Sequence, residues 1–254
     1  MKDHRQIGQE LDLFSFHEEA PGVVFWHPKG WIIYQQLKKY IRNKLTKYQE
    51  ISTPIMVKNE LFKQSGHWDH FRENMFFLKT GEVYALKPMN CPESTFIYKS
   101  KTRSYNDLPL RFSDFGILHR NELSGSLGGL FRLRQFTIDD AHIYIKEDQI
   151  GAEVIELLQL IQVIYKELGF DFGLYLATKP DKAMGDVNLW KQAEKDLEEA
   201  LKNSKIKYGV KEKDGAFYGP KIDIHIKDSQ NRDWQLATIQ LDFQIPEQMH
   251  LEYT

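Results

Sequence analysis

After His27-Pro28-Lys29-Gly30 the apolar residues Ile33, Leu37, Ile41 and Leu45 recur at helical spacing, with Tyr34 and Tyr48 beside them and Lys38, Lys39, Arg42 and Lys47 at other positions. The spacing predicts a long amphipathic helix over residues 29–48. It runs into Ile51-Ser52-Thr53-Pro54, a β-branched stretch closed by a residue with no N–H to give to a ladder, so a strand should end or lie at an edge there. Two more helical stripes follow: Val154, Leu157, Leu158, Ile161, Ile164 and Leu168, then Trp190, Ala193, Leu197 and Leu201. Between them, residues 170–177 alternate as a strand does. Residues 221–227 and 234–243 also read as β-structure, with Gln235, Thr238 and Gln240 interrupting apolar neighbours.

Residues 108–144 read as a long antiparallel hairpin, with arms at 110–122 and 131–145 around the tip Ser124-Gly125-Ser126-Leu127-Gly128-Gly129. Glycine at such a tip permits close approach of a ligand to the backbone. Strand parity places Arg120 and Glu122 on one face of the first arm, and Phe136, Ile138, Asp140 and His142 on one face of the second. These two sets are placed to face a common pocket. Strands flanked by helices in this order predict an α+β fold.

Composition narrows the setting. The 254 residues carry 34 Lys+Arg against 36 Asp+Glu, a formal charge of −2, and 13% are aromatic, ample for a substantial core. Near-neutrality argues against nucleic-acid binding by bulk positive charge and leaves a local basic surface open. No repeat, low-complexity run or long linker interrupts the chain, so one continuous domain over 1–254 is expected. No apolar stretch approaches a bilayer span, and the charged start is not a secretory signal, so no membrane role is expected. A lone cysteine, Cys91, suits a reducing compartment, with the cytoplasm as the expected location.

Arg120, Arg132 and Arg134 beside Glu122 suit a phosphate-bearing ligand, because the guanidinium fork matches phosphate oxygens two at a time; a cross-strand ion-pair ladder is the alternative. Phe136 offers a face for a nucleobase or a plain core contact. Cys91 and His142 are suitable zinc donors, against a buried thiol and a satisfied core histidine, with Asp140 close by and His119 and His225 as spare donors. His119 neighbours Arg120 on a strand and should point to the opposite face. Phosphate-cradling, dinucleotide-binding and nucleophile-elbow glycine motifs are absent. Phe217-Tyr218-Gly219-Pro220-Lys221 reads equally as a pocket wall or a turn into a strand.

Several strings together resemble the threonyl-tRNA synthetases, a class II aminoacyl-tRNA synthetase family, over essentially the whole length. They are Asp3-His4-Arg5 with Leu11-Asp12-Leu13-Phe14, Lys87-Pro88-Met89-Asn90-Cys91-Pro92, and His119-Arg120-Asn121-Glu122 with Ser124-Gly125-Ser126-Leu127. Asp139-Asp140-Ala141-His142, Phe217 to Asp223, and Gln240-Leu241-Asp242-Phe243 continue the match. The resemblance implies a mostly antiparallel sheet flanked by helices, and a homodimer through the Lys29 to Pro54 segment as motif 1. It implies that threonine is activated with ATP to the adenylate and transferred to tRNA(Thr). Arg120 would contact the α-phosphate and the threonine carboxylate, Arg132 the distal phosphates, and Phe136 the adenine, with Glu122 and Gln235 on the ATP side. Met89, Asp140, Tyr218, Lys221, Thr238 and Gln240 would contact threonine, with Asp140 accepting from its hydroxyl. Cys91 and His142 would supply two of three zinc ligands, and Mg²⁺ would accompany ATP.

The departures are equally specific. Glu93-Ser94, Ile138 and Leu236-Ala237 stand where the family commonly has Gly-His, glutamine and Cys-Gly. The third zinc-ligating histidine and motif 3 are expected beyond Thr254, and no editing or anticodon-binding domain is matched. The expectation is a C-terminally incomplete catalytic domain, with a non-catalytic binding or dimerisation module as the alternative.

Overall fold

A computed structural model of the chain describes residues 2–254. The chain divides into two compact units, one holding the chain up to Ser104, Leu110–Tyr144 and Tyr253–Thr254, the other Tyr105–Pro109 and Ile145–Glu252.

In the first unit α1 (His4–Glu10) is capped by Asp3, whose side chain accepts from Arg5 N while Gln6 reaches back to the Asp3 backbone. β1 (Phe14–Ser15) and β2 (Phe25–Trp26) form a small antiparallel ribbon. α2 (Pro28–Lys44) starts at Pro28, whose fixed φ suits a first helical position, and ends on Arg42 and Lys44, which favour the negative end of the helix dipole. It stops four residues short of the predicted 48 because Leu45, at φ −90° and ψ 41°, has left the helical region. Its apolar stripe also stays largely outside the core: Ile33 and Leu37 are 50% and 49% exposed.

The strand expected at residues 51–54 lies earlier in the chain, as β3 (Gln49–Ile51), sharing only Ile51 with the predicted stretch; it lies at a sheet edge, as expected, and pairs parallel with β7 (Leu110–Asp114). β4 (Met56–Lys58), α3 (Asn59–Gln64), α4 (His67–Phe71), β5 (Phe76–Thr80), β6 (Glu82–Leu86) and α5 (Cys91–Lys99) fill a stretch for which the periodicity gives no element. There the sheet β4-β6-β5 covers a small core of Phe62, Met75 and Ala85. The predicted hairpin is present in two registered pieces. β7 pairs with β10 (Asp140–Tyr144), and β8 (Ile117–His119) with β9 (Gln135–Thr137). Arg120 N–H donates to Arg134 O at 2.9 Å, carrying the pairing beyond β8 towards a single 3₁₀ turn at Ser124–Ser126.

In the second unit α6 (Ile150–Glu167) and α7 (Val187–Ser204) pack on the sheet β12-β11-β13-β14, built from β11 (Phe172–Ala177), β12 (Tyr208–Lys211), β13 (Lys221–Lys227) and β14 (Asp233–Gln240). α8 (Gln244–Gln248) follows. β11 and β12 are parallel, which requires a crossover, and α7 supplies it. The buried stripes of both helices meet Leu174, Leu176, Ile222 and Ile224, each buried leucine or isoleucine contributing about 1.5–3 kcal/mol. Alternation along β13 puts its isoleucines in this core and turns Lys221, Asp223 and His225 to the other face. Apart from β3·β7 and β11·β12 every strand pair is antiparallel among the described residues, so the fold is α+β and mostly antiparallel, as expected.

Candidate active site

On the hairpin of the first unit the arginines do different things. Arg120 lies with its guanidinium carbon 5.1 Å from the Phe136 ring centroid and 5.6 Å from that of Phe71, and its Nε donates to Pro88 O at 3.2 Å. Two aromatic faces and a carbonyl therefore fix its plane. Arg132 Nε instead meets Glu122 Oε2 at 3.0 Å, and Arg134 Nε donates to Glu122 O at 2.9 Å. Glu122 is largely buried and Arg132 more than half exposed, so this is the rung of the ladder that the sequence offered as an alternative. Phe71 was not legible as a member of this group, since its partner lies far away in sequence. His119 points away from Arg120, with Nε2 3.0 Å from Gln135 Oε1, as parity required.

A second group sits where α5 meets β10. Asn90, fully buried, donates from Nδ2 to Asp140 Oδ2 at 3.1 Å, and one turn later Ser94 Oγ is 2.7 Å from the Tyr144 hydroxyl. His142 lies between Asp140 and Tyr144 on the same strand face, and Cys91 lies between Asn90 and Ser94 at the start of the helix. The two hydrogen bonds join the start of α5 to β10 on either side of the positions of Cys91 and His142 in the chain. His142 Nδ1 is buried with no hydrogen-bond partner, which suits a nitrogen reserved for a metal. Met89 is half-buried in the link from β6 to α5. Among the described residues no three His, Cys, Asp or Glu side chains converge to hold a metal ion. The spare donors are engaged elsewhere: His119 with Gln135, and His225 with Lys211 and Asp233.

Beneath this link Lys87 is 1% exposed. Its Nζ donates to Thr53 Oγ1 at 2.6 Å and lies 3.8 Å from Asp114 Oδ2, which accepts from Thr53 Oγ1 at 2.7 Å. Glu93 is buried nearby with neither carboxylate oxygen hydrogen-bonded, and desolvation pushes it up to about 8.

The polar face of the sheet in the second unit is organised by Asp223, a fully buried carboxylate that sequence alternation alone does not distinguish from a solvent-facing one. It accepts from Lys221 Nζ at 2.9 Å and Gln235 Nε2 at 2.9 Å, and Gln235 Nε2 also reaches Thr238 Oγ1 at 2.6 Å. Tyr218 is buried and its hydroxyl donates to Gln240 Oε1. Of the predicted residues, Tyr218, Lys221, Gln235, Thr238 and Gln240 thus gather on one connected polar surface. The Phe217–Lys221 turn is a wall of it, with Gly219 packed so closely on Leu241 O that a Cβ there would lie 1.8 Å from that oxygen.

The family model of the tRNA synthetase class II core domain (G, H, P, S and T) matches residues 76–254. The threonine–tRNA ligases of Caldanaerobacter subterraneus subsp. tengcongensis and Clostridium botulinum (strain Langeland) are 51% and 53% identical to the chain, each over 99% of it and 40% of the relative. The chain therefore spans about two-fifths of the length of these curated relatives. The RNA binding domain of threonyl-tRNA synthetase from Cryptosporidium parvum Iowa II has a similar structure, with a TM-score of 0.96 and 44% identity, covering 99% of this chain and 64% of that one. With a family model matching most of its length, this chain belongs to the class II tRNA synthetase core family, and the relatives place it on the threonyl branch.

Proposed function

We propose that the chain carries the threonine-activating chemistry of a threonine–tRNA ligase. The observation that carries the reading is the placement of the Arg120 guanidinium over the Phe136 and Phe71 rings, which puts a cation beside aromatic faces as a site for a nucleotide's phosphate and base requires. The threonine carboxylate attacks the α-phosphorus of ATP in line and pyrophosphate leaves. The protein's work is to align the two and neutralise charge, with no covalent enzyme intermediate. Arg120 takes the α-phosphate and the threonine carboxylate, Arg132 the distal phosphates, and Phe136 the adenine, with Glu122 and Gln235 also serving ATP and Mg²⁺ accompanying it. Glu122 restrains Arg132, so ATP must draw the exposed guanidinium from an ion pair worth little.

Met89, Asp140, Tyr218, Lys221, Thr238 and Gln240 serve threonine. Asn90 aims Asp140 to accept from the substrate hydroxyl. Cys91 and His142 would hold Zn²⁺, which when bound supplies a Lewis acid for the amine and hydroxyl of threonine. Valine, lacking the hydroxyl, leaves Asp140 unsatisfied and is rejected strongly. Serine, lacking only a methyl, is disfavoured by about 1–3 kcal/mol. Transfer to tRNA(Thr), dimerisation through Lys29 to Pro54, where Trp31, Ile32, Ile33 and Leu37 are exposed, and a cytoplasmic location complete the proposal. No helix among the described residues is long and apolar enough to cross a membrane.

The test is ATP–pyrophosphate exchange with zinc and magnesium added. Exchange driven by threonine, weakly by serine and not by valine is the expected result. No exchange from folded protein that still self-associates would overturn activation by this chain and favour a non-catalytic dimerisation module.

A further inference from the structure

Three local devices at the start of the chain, none of them part of the site above, bring a carboxylate, an imidazole and a hydroxyl into line. α1 ends in a Schellman motif: Leu13 N–H donates to Gly8 O at 2.8 Å and Asp12 N–H to Gln9 O at 3.3 Å. The left-handed position of that motif, usually glycine, is held by Asp12 at φ 57°. A side chain in this conformation costs stability, and such residues concentrate where function requires them. β1 pairs with β2 so that Ser15 lies opposite Phe25. His27, the residue ahead of Pro28 in α2, donates its backbone N–H to Leu13 O at 2.9 Å, fixing the third position.

The result is a chain of short contacts. Asp12 Oδ1 is 2.6 Å from His27 Nδ1, and His27 Nε2 is 2.9 Å from Ser15 Oγ. Asp12 selects the tautomer: Nδ1 donates to the carboxylate, so Nε2 bears the lone pair and accepts from the Ser15 hydroxyl. His17 Nε2 lies 2.9 Å from the same oxygen, whose single proton is already given to His27, so His17 is the donor there. The His17 ring is steadied edge-on by Phe25 at 4.7 Å. Phe25, the cross-strand partner of Ser15, is exposed and leaves an aromatic face beside the hydroxyl, whereas Phe16 and Trp26 gather with Phe14 on the other face of the ribbon, and the whole cluster precedes the Lys29 to Pro54 segment.

We propose that Ser15, His27 and Asp12 form a second catalytic centre, a serine-type acyl-transfer site for small carboxylic esters with an apolar or aromatic group. Such triads are defined by geometry and roles, whatever the fold or residue order. Ser15 Oγ attacks the ester carbonyl while its proton passes to His27 Nε2. Asp12 stabilises the imidazolium and holds its ring in the productive tautomer. The carbon–oxygen bond to the leaving group breaks as His27 returns the proton to that oxygen, leaving the acyl group on Ser15. Water then attacks the acyl carbon, giving a proton to His27 and thence to Ser15 Oγ, and the carboxylic acid departs.

The experiment uses p-nitrophenyl acetate and butyrate, together with a fluorophosphonate and peptide mass spectrometry. The whole chain is compared with Ser15→Ala, Asp12→Asn and His27→Gln, each verified as folded by circular dichroism. The expected result is a fluorophosphonate adduct on Ser15 and p-nitrophenol release that Ser15→Ala reduces to the uncatalysed rate. Asp12→Asn and His27→Gln should slow adduct formation by about tenfold or more, the low side of what a positioned base provides, because Asp12 is 66% exposed. Absence of an adduct on folded protein, an adduct on another residue only, or release unchanged in Ser15→Ala would overturn the assignment. Asp12→Asn, which preserves shape and leaves the α2 start intact, keeps the test decisive if His27→Gln fails to fold.

Discussion

Replacing Lys87 by methionine removes an ammonium from a position with 1% exposure while keeping most of the side-chain volume. Its Nζ lies 3.8 Å from Asp114 Oδ2, a separation at which an ion pair of effective dielectric near 20 is worth about 4 kcal/mol. Asp114 retains the 2.7 Å hydrogen bond from Thr53 but becomes an uncompensated buried charge, and such losses cost about 3–5 kcal/mol. Asp114→Asn strands the ammonium and should cost a similar amount. The double variant strands neither, so its cost should be close to that of one single change, giving a coupling of about 3 kcal/mol. Urea unfolding of all four proteins, with amide exchange read on β6 and β7, measures it. Additivity within about 0.5 kcal/mol would refute the claim that these groups compensate one another across the buried contact.

Glu93 should make stability fall with rising pH. Its folded pKa of about 8 exceeds the usual 4.5, so the folded chain keeps a proton that the unfolded chain has released between those values. Glu93→Gln should flatten the urea-unfolding stability profile from pH 5.5 to 8 by up to about 1.4 kcal/mol per pH unit, and an unchanged slope would count against the assignment. Leu197→Ala, in the fully buried stripe of α7, should cost about 2–5 kcal/mol by thermal or urea unfolding. Asp186→Ala should cost about 1 kcal/mol by the same measure, since its carboxylate caps α7 at Asn188 N, 2.7 Å away. Asp140→Asn should leave threonine-dependent exchange weakened and valine discrimination reduced, read as the ratio of kcat/KM values.

The parts of the fold legible in the sequence are those where burial is one-sided. Trp190, Ala193, Leu197 and Leu201 are all buried, and α7 is found where they predict it. Lys221–Lys227 alternates so regularly that β13 has the predicted bounds. α5 is not marked by periodicity because its buried residues include Glu93, Ser94 and Thr95, polar side chains that a search for an apolar stripe passes over. The strands β4, β5 and β6 are short and only partly buried, too weakly patterned to stand out. The hairpin and the parity separating His119 from Arg120 were readable. The clamp of Phe71 on Arg120 and the Asn90 bond to Asp140 were not, because each joins segments whose approach only the folded backbone decides.

The division of the chain between its units bears on synthesis. Tyr105–Pro109 belongs to the second unit although first-unit segments lie on both sides of it, so neither unit is a single uninterrupted length of polypeptide. A ribosome that has delivered residues up to Ser104 has released β3 without its partner β7, and β7 in turn waits for β10. The sheet β10-β7-β3 therefore closes only after Tyr144 emerges, and during that interval its unpaired edges and aromatic residues are the surfaces most in need of a chaperone's shelter.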